Sequence, residues 1–177
     1  MNKLHIAIVA LFAMGSDCES SRLYSLDNGR LTIDGETEMT PCCLPWRVVS
    51  DLEIAPDAIA WWDRELGENY FELDNSAWQD NYGVLFINCG TTGIDDPAGV
   101  FYDATDGNGS ILQGAIVISS DIAYHEETVF YALLHEMGHA LGLADDPYSL
   151  DLNSIMSSPL IIGGELTDHD RDLLLDL

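Results

Sequence analysis

From Pro45 onward the apolar positions fall into short β-prone runs parted by turn residues, interrupted by three stretches of helical period. Trp46 to Val49 is apolar and β-prone, which predicts a first strand. Pro56 and Asp57 open a helix that reaches Leu66 and carries Ile59, Trp62 and Leu66 on one stripe. Four more strands are predicted at Tyr70 to Leu73, Val84 to Ile87, Val100 to Asp103 and Ala115 to Ser119, separated by Gly, Asn and Asp. Thr128, Val129, Phe130, Leu133, Leu134 and Leu141 mark a partly buried helix from about Glu126 to Leu141. A last helix begins at Thr167, whose hydroxyl caps it while Asp170 returns the bond three residues on, and it turns Leu173, Leu174 and Leu177 inward. Five strands and three helices predict an α/β domain, with no repeats and no long low-complexity stretch.

The start of the chain has a different character. Asn2 and Lys3 precede Leu4 to Ala13, an apolar run too short to span a bilayer but of signal-peptide length. Ala13 and Gly15 are small where a signal peptidase prefers small residues, so residues 1–15 are read as a signal peptide and the protein as secreted or extracytoplasmic. Residues 16–44 then form a short propeptide or N-terminal extension, and residues 45–177 a single folded unit. The 177 residues, 47% of them apolar, suffice for one core. Cys18 leaves a lipid-anchored form open, although Gly15-Ser16-Asp17 is a poor lipidation signal, and membrane contact is expected only in that form.

Charge narrows the partners. Thirty-one acidic against six basic side chains give a formal net charge of −25, a field that repels phosphate and excludes nucleic acid and anionic membrane surfaces. A cationic peptide would be attracted by the same field, though an acidic surface also serves solubility alone. A protein or peptide partner and a monomeric state are expected.

The most specific chemistry lies in His135-Glu136-Met137-Gly138-His139-Ala140-Leu141-Gly142-Leu143-Ala144-Asp145, which reads HExxHxxGxxD. Two histidines four apart on a helix differ by about 40° in azimuth and about 6 Å in rise, so both imidazoles can reach one ion. Glu136 stands beside them as a base for a water that the metal acidifies, the need of an amide hydrolase. Gly142 permits a positive-φ exit from the helix, so that Asp145, three residues on, can swing back as third ligand. Asp146 is the neighbour most easily mistaken for it, and the spacing from Gly142 favours Asp145. Two neutral histidines and one carboxylate leave a zinc site near plus one, which is compatible with activity, with a less acidic water than three histidines would give.

The motif resembles that of the metzincin metallopeptidases, its surroundings resemble the matrixin branch, and the aspartate resembles the third ligand of snapalysin-type bacterial peptidases. The similarity covers roughly residues 45 to 177. It implies a metzincin-like zincin domain with a five-stranded twisted mixed sheet and three helices. It also implies a Met-turn in Asn153-Ser154-Ile155-Met156-Ser157, with Met156 as an apolar floor under the zinc, where the plain alternative is a core methionine. It further implies that Gly99 to Asp103 is an antiparallel sheet edge to which an extended substrate adds as another strand. Leu160 to Gly164, after Pro159, would form the outer wall of the pocket beside the scissile bond. The activity implied is zinc-dependent endopeptide hydrolysis by Glu136, His135, His139 and Asp145. The alternative is a non-catalytic zinc-binding or adhesion module on the same fold.

Other residues carry weaker signals. Cys42 or Cys43 is expected to bridge to Cys89, with the adjacent Cys42–Cys43 pair the least favoured pairing. Pro41-Cys42-Cys43-Leu44-Pro45 also resembles, loosely, the propeptide cysteine by which matrixins stay latent, without its arginine. Asp103, Asp106 and Asn108 on a glycine-bent loop are candidate calcium ligands, or a plain turn. Glu165 is a candidate distant ligand of a gluzincin-like site, disfavoured because it follows two glycines outside any helix. His125, about 15 Å up the helix from His135, and His169 are read as surface residues. His5 would leave with the signal peptide. The four tryptophans, Trp46, Trp61, Trp62 and Trp78, are read as packing residues.

Overall fold

A computed structural model describes residues 30–33, 37–80, 82–92, 98–145 and 153–174. The expected signal peptide, His5, Cys18, Asp146 and Leu177 lie outside them. Among the described residues the fold is α/β with three helices, α1 (Ala55–Leu66), α2 (Glu126–Ala140) and α3 (Asp168–Leu174), and a mostly parallel sheet.

All five strands expected from the apolar runs form, as β4 (Trp46–Ser50), β5 (Phe71–Leu73), β6 (Val84–Gly90), β7 (Gly99–Thr105) and β8 (Ser110–Ser119). Three further pairs of residues were not legible as strands. β1 (Thr32–Ile33) and β2 (Thr37–Glu38) make a small antiparallel ladder, and β3 (Thr40–Pro41) joins the main sheet, raising its count from five to six. Two residues are too few to display a period.

The strand order is β3-β8-β6-β4-β5, with these neighbours parallel, and β7 pairs antiparallel with β8. β4 shows why the strands form: Trp46, Val48 and Ser50 are buried while Arg47 and Val49 are less so, a period of two on a sheet covered by helices. α1 connects the parallel pair β4 and β5, as a crossover must, and places Trp62 against Phe71 with ring centroids 6.2 Å apart. α2 lies over β7 and β8 and touches α1. Its buried residues run continuously from Ala132 to Ala140, so it is a central helix, not an amphipathic surface one.

The core gathers Trp46, Trp62, Phe71, Leu85, Ile116, Leu133 and Met137 into one cluster. Trp46, fully buried, donates its indole N–H to the Ala140 carbonyl at 3.1 Å and so ties the first long strand to the end of α2. The core also reaches upstream of Pro45. Leu31 and Met39 are 1% and 2% exposed, and the Leu31 N–H donates to the Gly142 carbonyl at 2.8 Å.

Candidate metal centre

α2 carries His135 and His139 into the centre of the molecule, and two close approaches hold it there. A Cβ on Gly138 would stand 2.3 Å from Met156 Sδ, so the helix rests on the Met156 turn with no room for a side chain between. Gly142 ends the helix at φ 88°, and a Cβ there would stand 2.3 Å from the Met39 carbonyl oxygen. The positive φ was legible in the motif. The backbone of Met39, more than a hundred residues upstream, was not.

Past Gly142 the chain turns back and brings Asp145 to the histidines. Asp145 Oδ1 lies 3.0 Å from His135 Nε2 and 3.7 Å from His139 Nε2, and the two rings stand edge to face with centroids 4.7 Å apart. The donor atoms of the three residues all lie within 4.8 Å of one another, a group that could hold a metal ion. His135 Nδ1 is 2.8 Å from the Ile155 carbonyl oxygen and His139 Nδ1 is 2.8 Å from that of Leu143. A carbonyl only accepts, so each Nδ1 carries the proton, and in a neutral ring each Nε2 turns its lone pair towards Asp145. Such a lone pair facing a carboxylate oxygen at 3.0 Å is repulsive unless a proton or a cation lies between them. The oriented nitrogens, each fixed from behind by a carbonyl, are the donor set a metal ion requires.

The electrostatics follow from burial around this group. His135, Glu136 and His139 are 8%, 6% and 8% exposed. Burial pushes the Glu136 carboxyl up to about 7, against the pull of His135. Burial, with the neighbouring His135, takes His139 down to about 4. Burial would also lower His135, but the Asp145 hydrogen bond and the Glu136 charge outweigh it and hold it above the ordinary histidine value. Asp145 is pulled below the usual carboxylate value by both histidines, despite its burial.

Glu136 borders a cavity of about 220 Å³ shared by His135, His139, Asp145, the β7 residues Gly99 and Phe101, and Leu160. The backbone N–H of Phe101 acts on the Glu136 carboxyl in the opposite sense to burial. Nothing local in the sequence pointed to Phe101, or to the Ile155 and Leu143 carbonyls. Met156 is 1% exposed, and its N–H donates to Ser154 Oγ at 3.0 Å. The Ser154 hydroxyl donates to Asp170 Oδ2 at 3.0 Å, and that carboxylate also accepts the N–H and hydroxyl of Thr167. Asp170 therefore does more than cap α3, as the Thr167 spacing had suggested: it anchors the Met156 turn to the helix.

Other candidates fall elsewhere. Glu165 is exposed, its backbone paired with Asn153 and Ile155, and it does not join the donor group. His125 caps α2 and His169 lies on α3, both exposed. Asp106 spends its Oδ1 on the N–H groups of Asn108 and Ser110, as in an Asx-turn.

The cysteine expectation is corrected. Cys42 and Cys43 are bonded to each other and Cys89 is free and exposed. Cys43 lies against Gly83 at the start of β6, whereas Cys89 is near its far end, roughly 20 Å away at the rise of an extended strand. The bond also leaves neither sulfur as a free thiolate. No family model matches the chain, and no curated protein matches it.

Proposed function

We propose that the protein is a zinc-dependent endopeptidase of metzincin-like fold, exported by the apolar segment at its start. The observation that carries this reading is the convergence of both histidine Nε2 atoms on the Asp145 carboxylate, with Glu136 beside them under a sheet edge. The donor set, two imidazoles and a carboxylate, suits zinc with one position left for exchange. When bound, zinc supplies a Lewis acid that polarises the scissile carbonyl and acidifies water.

The remaining work falls to the chain. Glu136, buried beside the donors on the cavity wall, can take a proton from the attacking water and return it to the leaving amine. Among the described residues β7 is the one strand of the main sheet that pairs antiparallel; it borders the cavity and offers an edge along which an extended peptide can add. Leu160 and Phe101 line the cavity with apolar surface, which suits an apolar side chain next to the scissile bond. A buried carboxylate beside the donors supports a base over a binding module, which has no use for one there.

The test is casein hydrolysis by the full chain, with and without a zinc chelator, beside Glu136→Ala. Chelator-sensitive cleavage, restored by zinc and lost in the variant, is expected. A zinc-loaded wild type that cuts no better than the variant would sink the reading.

A further inference from the structure

We infer that Gly99 is a positioning residue for Glu136: the missing side chain lets the Glu136 carboxylate rest against the outer edge of β7, on the Phe101 N–H. A Cβ on Gly99 would stand 2.8 Å from Glu136 Cγ, 3.0 Å from Oε1 and 3.2 Å from Cδ, so it would meet the whole outer half of that side chain. Carbon atoms in ordinary contact are about 3.5–4.0 Å apart, and Cγ would have to move by about 1 Å.

The register of β7 gives the contact its meaning. The Ala98 carbonyl accepts from Ser119 N–H, and Gly99 pairs with Ile118, so the alternation of an antiparallel ladder turns the peptide groups of Gly99 and Phe101 away from β8. The Phe101 N–H is therefore an edge donor, and the Glu136 carboxylate, packed against Gly99, is the group of the chain it acts on. An added strand would use the same N–H. Peptide docking and the resting position of Glu136 exclude each other at Phe101, so docking displaces the carboxylate from the edge towards the reacting carbonyl.

The kinetic part of the test rests on the peptidase reading, and the amide-exchange part does not. The full chain would be compared with Gly99→Ala, Glu136→Ala and, as control, Gly107→Ala, whose added Cβ meets nothing within 4 Å. Hydrogen exchange at the Phe101 amide, followed by NMR, should be slow in wild type and control and faster by about tenfold or more in the other two. In Gly99→Ala, zinc affinity should hold within about twofold while kcat on a casein-derived peptide falls on the order of a hundredfold with KM little changed, the effect of a base misplaced by about 1 Å. An unchanged Phe101 amide in Glu136→Ala would overturn the contact whatever happens to Gly99→Ala. Loss of zinc affinity in step with kcat would overturn the positioning role in favour of general disruption. An inactive wild type whose Phe101 amide still responds to both variants would count against the peptidase and uphold the positioning.

Discussion

Gly142→Ala and Gly67→Ala are the same substitution at two positive-φ helix exits, with φ 88° and 72°, and the structure predicts different outcomes. Each variant places an alanine in left-handed backbone, which costs about 1–2 kcal/mol, offset by about 0.4–1 kcal/mol because alanine restricts the unfolded chain. At Gly67 nothing lies within 4 Å of the added Cβ, so the net loss should be about 0.5–1 kcal/mol. At Gly142 the Cβ would stand 2.3 Å from the Met39 carbonyl oxygen, backbone that cannot rotate aside. Relieving that overlap needs a shift of about 1 Å between segments tied by the Leu31 to Gly142 hydrogen bond, and overpacking of this kind adds about 1–3 kcal/mol. Gly142→Ala should therefore lose about 2–4 kcal/mol. Asp145 follows three residues later, so the same shift should weaken zinc binding by about tenfold, or 1.4 kcal/mol, while Gly67→Ala leaves it unchanged. Urea unfolding of the chelated proteins, with the slope checked for constancy, measures the first effect and a competitive zinc titration the second. Equal destabilisation by the two variants, with equal zinc affinities, would refute the claim that Met39 and Gly142 jointly set the ligand loop.

Asp170→Ala should cost about 3 kcal/mol in urea unfolding, because three hydrogen bonds to a buried carboxylate vanish and Ser154 and Thr167 lose their acceptor; a loss below about 1 kcal/mol would mean that the Met156 turn stands without it. Of the two histidines, zinc binding should draw a proton from His135 alone, since its raised value keeps it protonated at a pH where an ordinary histidine is neutral, whereas His139, lowered to about 4, has no proton to give near neutrality. In Glu136→Gln, where that buried carboxyl no longer titrates, the apparent affinity should thus fall by about tenfold per pH unit as pH drops below the raised His135 value and be flat above it; a slope of two protons between pH 5 and 7 in that variant would contradict the assignment. Alkylation followed by peptide mass mapping should modify Cys89 slowly, because partial desolvation of this surface thiol and the Asp51 charge hold it above the usual value, and Cys42 and Cys43 only after reduction. A Cys42 to Cys89 linked peptide would contradict the pairing.

What could be read from the chain alone was whatever is local. The 3.6-residue period puts His135 and His139 on one face of a helix wherever that helix sits, and Gly142 announces the turn that brings Asp145 back. Short apolar, β-prone runs between turn residues revealed β4 to β8. Their order in the sheet, and the addition of β3, depend on pairings between distant segments that no period records. Tertiary structure alone decided that Met39 abuts Gly142, that the Ile155 carbonyl orients His135, and that Gly99 abuts Glu136. It also decided the cysteines, since the length of β6 parts Cys89 from the pair at its start. Helical and strand periods are imposed by backbone geometry over a few residues, so sequence carries them. Close approach between remote backbones depends on how whole layers pack, and only the folded chain contains that information.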